Sequence, residues 1–255
     1  MTSAPEAPED TPDSPPEGGE MTLLDHLFEL RTRVTWSAAA VVVGMIPFFY
    51  IPLGLAAIEF LILPARNQNP DFVVQAITPM ENIFTYFRVM LLGGIAIGMP
   101  MLVYQVLRFI TPALTSQEKR WVIPVVLGTS VSFFLGLVFG YYVVLPAAYA
   151  FLFNFGTEVA EVTPTISSYM DLTLRLLLVM GFVFETPILI MGLAKFGVVN
   201  AKQLRGWWRW ALVGSFAISA VATPTPDPIT QTLVGGPMFI LYLFGIVLAW
   251  LVRRD

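Results

Sequence analysis

Residues 232–252 of the chain read TLVGGPMFILYLFGIVLAWLV, a stretch of apolar and small side chains without one charged residue. An α-helix needs about 20 predominantly apolar residues to cross the roughly 30 Å hydrocarbon core of a bilayer, because each residue adds 1.5 Å. This stretch meets that requirement. It therefore predicts a transmembrane helix close to the end of the chain.

Five further stretches of the same kind precede it. The predicted spans are Val34–Leu53, Ile83–Phe109, Trp121–Ala150, Tyr169–Phe196, Trp207–Thr223 and Thr232–Val252. The predicted fold class is therefore an all-α polytopic membrane protein with six transmembrane helices.

The overall composition agrees with this class and excludes several others. Of the 255 residues, 56% are hydrophobic and only 13% are charged, whereas charged residues supply about a quarter of a soluble domain. The mean hydropathy is +0.73. The absence of cysteine excludes disulfides and thiol nucleophiles, and the single histidine, His26, excludes multi-histidine metal centres. We expect neither a metal nor a cofactor, and no nucleic-acid partner.

The first 20 residues differ from the rest of the chain. They hold six acidic residues, five prolines and no basic residue, so they cannot bury enough apolar surface to offset the entropy of ordering. We predict a disordered acidic tail over residues 1–20 and a transmembrane domain over residues 21–255. The tail lacks the apolar region of a secretory signal, and Met21 is a candidate physiological start.

The placement of basic residues predicts the orientation in the membrane. With both termini in the cytoplasm, 11 of the 14 lysines and arginines fall on the inside: Arg31, Arg33, Arg108, Lys119, Arg120, Lys195, Lys202, Arg205, Arg209, Arg253 and Arg254. Short cytoplasmic loops carry such an excess of basic residues. The same topology puts the 156–168 loop, with Glu158 and Glu161, on the outside.

Two carboxylates on the predicted cytoplasmic side have alternative roles. Glu29 lies in a predicted amphipathic helix before the first span, four residues before Arg33, so an ion pair of about 0.3–0.5 kcal/mol is the simpler interpretation. Glu118 follows Thr115 by three residues, the spacing of a capping box that starts the next helix. Either carboxylate could instead receive a basic partner, and for Glu118 the two roles are compatible.

Glu185 lies midway along the fourth predicted span. An ionised carboxylate at that depth costs about 2.5–3.5 kcal/mol, so we expect it to face the bundle interior or a hydrated groove, or to be protonated. Near the outer end of the same span, Asp171 and Arg175 are spaced i,i+4 and are expected to pair with each other.

Several motifs occur in a fixed order along residues 22–254. They are His26-Leu27-x-Glu29-Leu30-Arg31-x-Arg33, Leu63-Pro64, Tyr104-Gln105 with Phe109-Ile110-x-Pro112, Glu118-Lys119-Arg120, Phe184-Glu185-x-Pro187, and Thr223-Pro224 with Asp227, Thr230 and Gln231. In order and spacing this pattern resembles the TatC family, the receptor subunit of the twin-arginine protein translocase.

This resemblance implies a function and a concave, six-helix shape. A TatC protein of a prokaryotic inner membrane binds Arg-Arg signal peptides of folded cargo at the cytoplasmic face. It assembles with TatA- and TatB-like single-span subunits, as a homo-oligomer within a larger complex, and export uses the proton-motive force. The implied residues are Glu29, Glu118, Arg31 and Phe109 for signal-peptide binding, Glu185 for an intramembrane polar groove, Thr223 and Gln231 for partner docking, and Pro64 in the first outside loop.

Two other function classes stay open from the residues themselves. A proton-coupled solute transporter would use Glu185 and the proline-kinked spans, but the sequence lacks a convincing inverted repeat. An intramembrane enzyme would need a nucleophile and base or a set of metal ligands, which a chain without cysteine and with one histidine does not offer. Capture of a twin-arginine peptide separates the receptor from both.

Overall fold

The computed structural model describes residues 23–69, 72–110, 122–155, 163–195, 197–223 and 227–252. Over these residues the regular secondary structure is helical, apart from one parallel bridge between Gln75 and Thr165. The helices are α1 (Leu23–Met45), a 3₁₀ turn (Ile46–Phe49), α2 (Ile51–Gln68), α3 (Pro79–Ile110), α4 (Val122–Phe139), a π-helix (Gly140–Val144), α5 (Leu145–Asn154), α6 (Ile166–Lys195), α7 (Ala201–Gly206), α8 (Trp208–Ala222) and α9 (Pro228–Val252).

Five helical segments are long and apolar enough to cross a membrane. They are Leu27–Phe49, Pro79–Phe109, Val122–Asn154, Ile166–Lys195 and Pro228–Val252. Helix α8 is apolar but has 15 residues, which at 1.5 Å per residue gives about 22 Å, less than the hydrocarbon thickness. The all-helical membrane class is therefore confirmed, while the count of six spans and the side of each terminus stay predictions.

The first predicted span, Val34–Leu53, has the wrong boundaries. Helix α1 begins at Leu23, so the amphipathic segment and the span form one continuous helix, and it ends at Met45. Pro47 then enters a 3₁₀ turn and Pro52 lies in the first turn of α2. Because proline lacks an amide N–H, it is tolerated at a helix start but ends a preceding helix.

Helix α2 was not predicted, and it contains Pro64, which the sequence placed in the first outside loop. The amide that Pro64 lacks would have bonded the carbonyl of Phe60, four residues earlier. Tyr141 Oη donates to that carbonyl at 2.8 Å, and the Phe60 and Tyr141 rings stack at 4.3 Å. The π-helix that carries Tyr141 thus satisfies the polar group that Pro64 frees.

A second tyrosine fastens α2 to the centre of the bundle. Tyr169 Oη donates to the Leu61 carbonyl at 2.8 Å, and its ring stacks on Tyr149 at 4.8 Å. Tyr149 in turn shares a 2.5 Å hydrogen bond with Thr173 on α6. The core around this network is almost fully buried; its largest side chains include Tyr149, Met170, Leu176 and Met180.

Helix α1 packs on α3 through small residues. A Cβ atom added at Gly44 would lie 2.6 Å from the Gly94 carbonyl oxygen, and one added at Gly94 would lie 2.7 Å from the Val41 carbonyl oxygen. Glycine therefore lets the two backbones approach closely, as small residues do at helix contacts in membranes. This contact fixes α1 against α3 and aligns their polar ends.

The bundle has two distinct ends. Helices α3 and α6 both begin beside the Gln75–Thr165 bridge and run in parallel, and we call this the bridge end. At the opposite end α1 begins and α3, α6 and α9 finish; we call it the Glu29 end. Below the bridge end, Arg88 pairs with Asp171 and also donates to Ser167.

The predicted Asp171–Arg175 pair is therefore wrong. The guanidinium of Arg88 reaches Asp171 from the neighbouring helix α3, a contact that spacing along α6 cannot reveal. Arg175 is exposed, and no ion pair of Arg175 occurs within the described residues.

Candidate functional site

A polar cluster joins the start of α1 to the last turns of α3. Arg33 donates through Nη2 to Glu29 Oε1 at 2.9 Å and through Nη1 to Gln105 Oε1 at 3.4 Å. Gln105 Nε2 lies 3.8 Å from Met101 Sδ, and Gln105 is buried. We call Glu29, Arg33 and Gln105 the Glu29 cluster.

The Glu29 cluster leaves two polar atoms unused. The Glu29 and Arg33 side chains are only 17% and 19% exposed. Glu29 Oε2 and Arg33 Nε are buried and have no hydrogen-bond partner among the described residues. A buried polar atom without a partner costs about 1–3 kcal/mol, so the arrangement is poorly satisfied as it stands and has capacity for a cationic donor at Glu29.

The i,i+4 interpretation of Glu29 and Arg33 is confirmed, but the pair differs from an ordinary surface contact. Its partial burial reduces the screening by water that weakens exposed pairs. Arg33 Nη1 donates to Gln105 on α3, so α3 positions the guanidinium that orients Glu29. Sequence reasoning assigned no role to Gln105; its signal was an amide side chain within an otherwise apolar part of the span.

The other predicted binding residues are distributed around this cluster. Phe109 is half-buried and follows Gln105 by four residues, one helical turn further along α3. Arg31 is exposed and is not part of the hydrogen-bonded cluster. Between these residues and α4 the chain carries Glu118, which lies outside the described residues.

Glu185 occupies a separate position on α6. It is 7% exposed, its Oε1 atom has no hydrogen-bond partner and no ion pair involves it within the described part of the chain. Beside it, Ser132 Oγ donates to the Phe184 carbonyl at 2.5 Å, and the Phe139 and Phe184 rings lie 5.2 Å apart. The structure does not bring Glu185 to the Glu29 cluster, and the hydrated groove stays a prediction.

The predicted docking residues Thr223 and Gln231 lie at the turn between α8 and α9. Thr223 is buried and its hydroxyl donates to the Ser219 carbonyl at 2.9 Å. Ser219 donates to the Gln231 carbonyl at 2.8 Å, which ties α8 to α9. Asp227 Oδ2 accepts from the Thr230 amide at 2.6 Å and so caps α9. These hydrogen bonds join the end of α8 to the start of α9, and the Gln231 side chain is half-buried.

Comparison with known proteins gives the family. The family described as Sec-independent protein translocase protein (TatC) matches residues 25–237. The chain belongs to the TatC family. The bacterial TatC protein of Synechocystis is 38% identical over 96% of this chain and 94% of its own length, and that of Aquifex aeolicus is 36% identical over 92% and 97%.

Solved structures that match this fold belong to the same family as the sequence relatives. The crystal structure of a twin-arginine translocase receptor TatC superposes with a TM-score of 0.78 and 35% identity, covering 90% of this chain and all of the other. The same receptor in DDM gives the same score over 88% and 99%. These matches confirm the resemblance to the TatC family. TatC proteins are components of a protein translocase and not an enzyme family, and nothing in the matches supports the solute-transporter alternative.

Proposed function

We propose that this TatC-family chain is the translocase receptor for twin-arginine signal peptides and that the Glu29 end receives the arginine pair. The observation that carries the proposal is the unpartnered Glu29 Oε2 atom. Arg33 donates to the other carboxylate oxygen, Oε1, and is itself positioned by Gln105, so Oε2 is left available. A carboxylate oriented in advance binds a second guanidinium without a further ordering cost.

The chemistry of arginine suits this site. A guanidinium presents a planar fork of donors to a carboxylate, and such charge-assisted contacts are about twice as strong as neutral ones. Glu29 takes one arginine of the pair, and Glu118, from the segment that follows α3, takes the other. Phe109 supplies apolar surface for the residues after the arginines, and the exposed Arg31 shapes the charge around the entrance.

The remaining steps of the proposal concern assembly. TatA- and TatB-like single-span subunits dock at the α8–α9 turn near Thr223 and Gln231, and Glu185 serves the groove along which signal peptide or partner helices lie. The chain works as a homo-oligomer within that complex in the inner membrane, driven by the proton-motive force. Pro64 acts by shaping α2: it leaves the Phe60 carbonyl without its helical partner, and Tyr141 donates to that carbonyl instead.

The orientation is tested by labelling. We propose six spans with both termini in the cytoplasm, because the basic residues cluster on that side. Tags at Asp255 and near Glu161 are expected to be labelled from opposite sides of the membrane. Labelling of both tags from one side contradicts the six-span topology.

The binding site is tested by crosslinking. A signal peptide with a photoreactive group next to Arg-Arg is expected to crosslink to the start of α1 and the end of α3, and its Lys-Lys version to crosslink less. Glu29→Ala and Glu118→Ala should each weaken binding by about 1–3 kcal/mol, the cost of losing a charged hydrogen-bond partner.

The matched control is Glu59→Ala, which removes a glutamate from α2, where it forms only a 3.9 Å contact with Arg66. Crosslinking should be unchanged in this variant. Unchanged binding in the Glu29→Ala and Glu118→Ala double variant would refute the site.

A further inference from the structure

A basic cavity lies at the Glu29 end, away from the Glu29 cluster. Its volume is about 710 Å³, and it is open to the surroundings between α7 and the last turns of α9. Lys202, Arg205 and Asn200 supply the polar part of its wall, and Ile246, Val247 and Trp250 supply the apolar part. Nothing in the proposed signal-peptide site uses these residues.

The basic wall of the cavity is held in place. Asn200 and Gln203 form a reciprocal capping box, with the Gln203 amide donating to Asn200 Oδ1 at 2.8 Å and the Asn200 amide donating to Gln203 Oε1 at 3.1 Å. Tyr242 Oη on α9 donates to the Leu204 carbonyl at 2.7 Å, and Leu204 is buried. The short helix α7 is therefore fixed against α9.

Among the described residues, the positive charge of the cavity has no local counter-charge. Neither Lys202 nor Arg205 forms an ion pair within the described residues. The sequence contains no aspartate or glutamate over residues 195–223 or 228–252, so the helices that form the wall supply no anion. Two unpaired cations around a cavity of this size favour an anionic ligand.

Exposed tryptophans give the depth of the cavity in the membrane. Trp207, Trp208 and Trp210 flank α7 and the start of α8, and Trp250 lines the cavity itself; all four are exposed. Tryptophan is enriched at the level of the lipid headgroups. A cavity at this level, basic on one side and apolar on the other, matches a phosphate and the glycerol region attached to it.

We propose that this cavity binds the phosphate headgroup of an anionic phospholipid, held by Lys202 and Arg205 with its glycerol region against Trp250. Basic pockets between membrane helices are sites for such headgroups. The site goes beyond signal-peptide recognition and does not depend on it. Bound lipid would stabilise α7 and the connection between α6 and α8.

The test is native mass spectrometry of the full chain titrated with phosphatidylglycerol or phosphatidylcholine. A basic residue that contacts the lipid phosphate is expected to contribute about 1 kcal/mol, the value for a basic residue at an anionic membrane surface, or roughly fivefold in affinity. Arg205→Gln should therefore lower phosphatidylglycerol affinity about fivefold, and Lys202→Gln with Arg205→Gln about 25-fold. Phosphatidylcholine binding should not change, and exchanging the two residues as Lys202→Arg with Arg205→Lys should keep most of the affinity.

The matched control is Arg209→Gln, because the Arg209 guanidinium lies over the Trp208 ring at 5.6 Å and not in the cavity wall. Its effect should stay below twofold. Equal losses in Arg205→Gln and Arg209→Gln would overturn the proposal, as would competition by equimolar inorganic phosphate.

Discussion

Two regions of the molecule, the α2–α6 contact and the Glu29 cluster, treat their buried polar groups differently. At the α2–α6 contact, the carbonyl freed by Pro64 is satisfied by Tyr141, and Tyr169 and Tyr149 find partners on neighbouring elements. In the Glu29 cluster, Glu29 Oε2 and Arg33 Nε are left without partners among the described residues. The first region uses its hydrogen bonds for stability, whereas the second keeps capacity for a ligand.

This difference predicts different responses to substitution in the two regions. A satisfied network loses stability when one member is removed, because the remaining buried group is left unpaired. An unsatisfied atom behaves in the opposite way, because its loss removes no hydrogen bond of the folded chain. A substitution such as Glu29→Gln, which keeps an acceptor for Arg33, should therefore affect mainly the ligand. Glu185, with an unpartnered Oε1, falls in the second group.

The largest expected effect tests whether the α1–α3 contact underlies the Glu29 cluster. Gly44→Ala places a Cβ 2.6 Å from a backbone carbonyl, so overpacking should cost about 1–3 kcal/mol of stability. It should also weaken peptide binding, because it moves Arg33, which orients Glu29, away from Gln105. Thermal unfolding and peptide titration measure both. Gly214→Ala, where no atom lies within 4 Å of the added Cβ, should instead be neutral or stabilise α8 by up to about 1 kcal/mol. Equal effects would contradict the packing argument.

These contacts also mark how far the sequence could predict the structure. Hydropathy predicted the long spans because each needs a continuous apolar run, and i,i+4 spacing predicted Glu29–Arg33 because both residues lie on one helix. The sequence could not predict that Asp171 pairs with Arg88 instead of Arg175, or that Arg33 donates to Gln105, because those contacts join different helices. Helix α2 was missed because two prolines and Glu59 interrupt its apolar pattern.

The next effect tests the satisfied region. Tyr141→Phe removes the donor to the Phe60 carbonyl and should lower the free energy of unfolding by about 1–3 kcal/mol, with peptide affinity unchanged. Tyr142→Phe is the adjacent control, because Tyr142 is 67% exposed and its hydroxyl makes no hydrogen bond in the described structure. A loss of stability of the same size in both variants would show that the hydrogen bond from Tyr141 to the Phe60 carbonyl does not stabilise the fold.

A smaller effect on stability, but with a functional consequence, is expected at Glu185. Glu185→Leu replaces a buried carboxylate whose Oε1 has no partner, so stability should stay the same or rise by about 1 kcal/mol. Export of folded Arg-Arg cargo should fall, while Glu185→Gln, which keeps the shape and hydrogen bonding, should retain much of it. Full export in Glu185→Leu would place this residue outside the working groove.

The smallest effect concerns the Arg88–Asp171 pair, whose side chains are about half exposed. A double-mutant cycle of Arg88→Gln and Asp171→Asn should give a coupling of about 0.2–1 kcal/mol, as for other exposed pairs. The same cycle with Arg175→Gln in place of Arg88→Gln should give no coupling. Coupling between Asp171 and Arg175 would restore the intrahelical pair.

The most direct test of the account is a binding cycle between Glu29 and the arginine pair. Affinities of labelled Arg-Arg and Lys-Lys signal peptides are measured for the unmodified chain and for Glu29→Gln, with Glu59→Gln as control. Because a guanidinium is more weakly hydrated than an ammonium and so binds a largely buried carboxylate oxygen at a lower desolvation cost, Glu29→Gln should cost the Arg-Arg peptide about 1–3 kcal/mol and the Lys-Lys peptide clearly less. Equal losses for both peptides, or none for Arg-Arg, would contradict the claim that Glu29 receives an arginine of the signal.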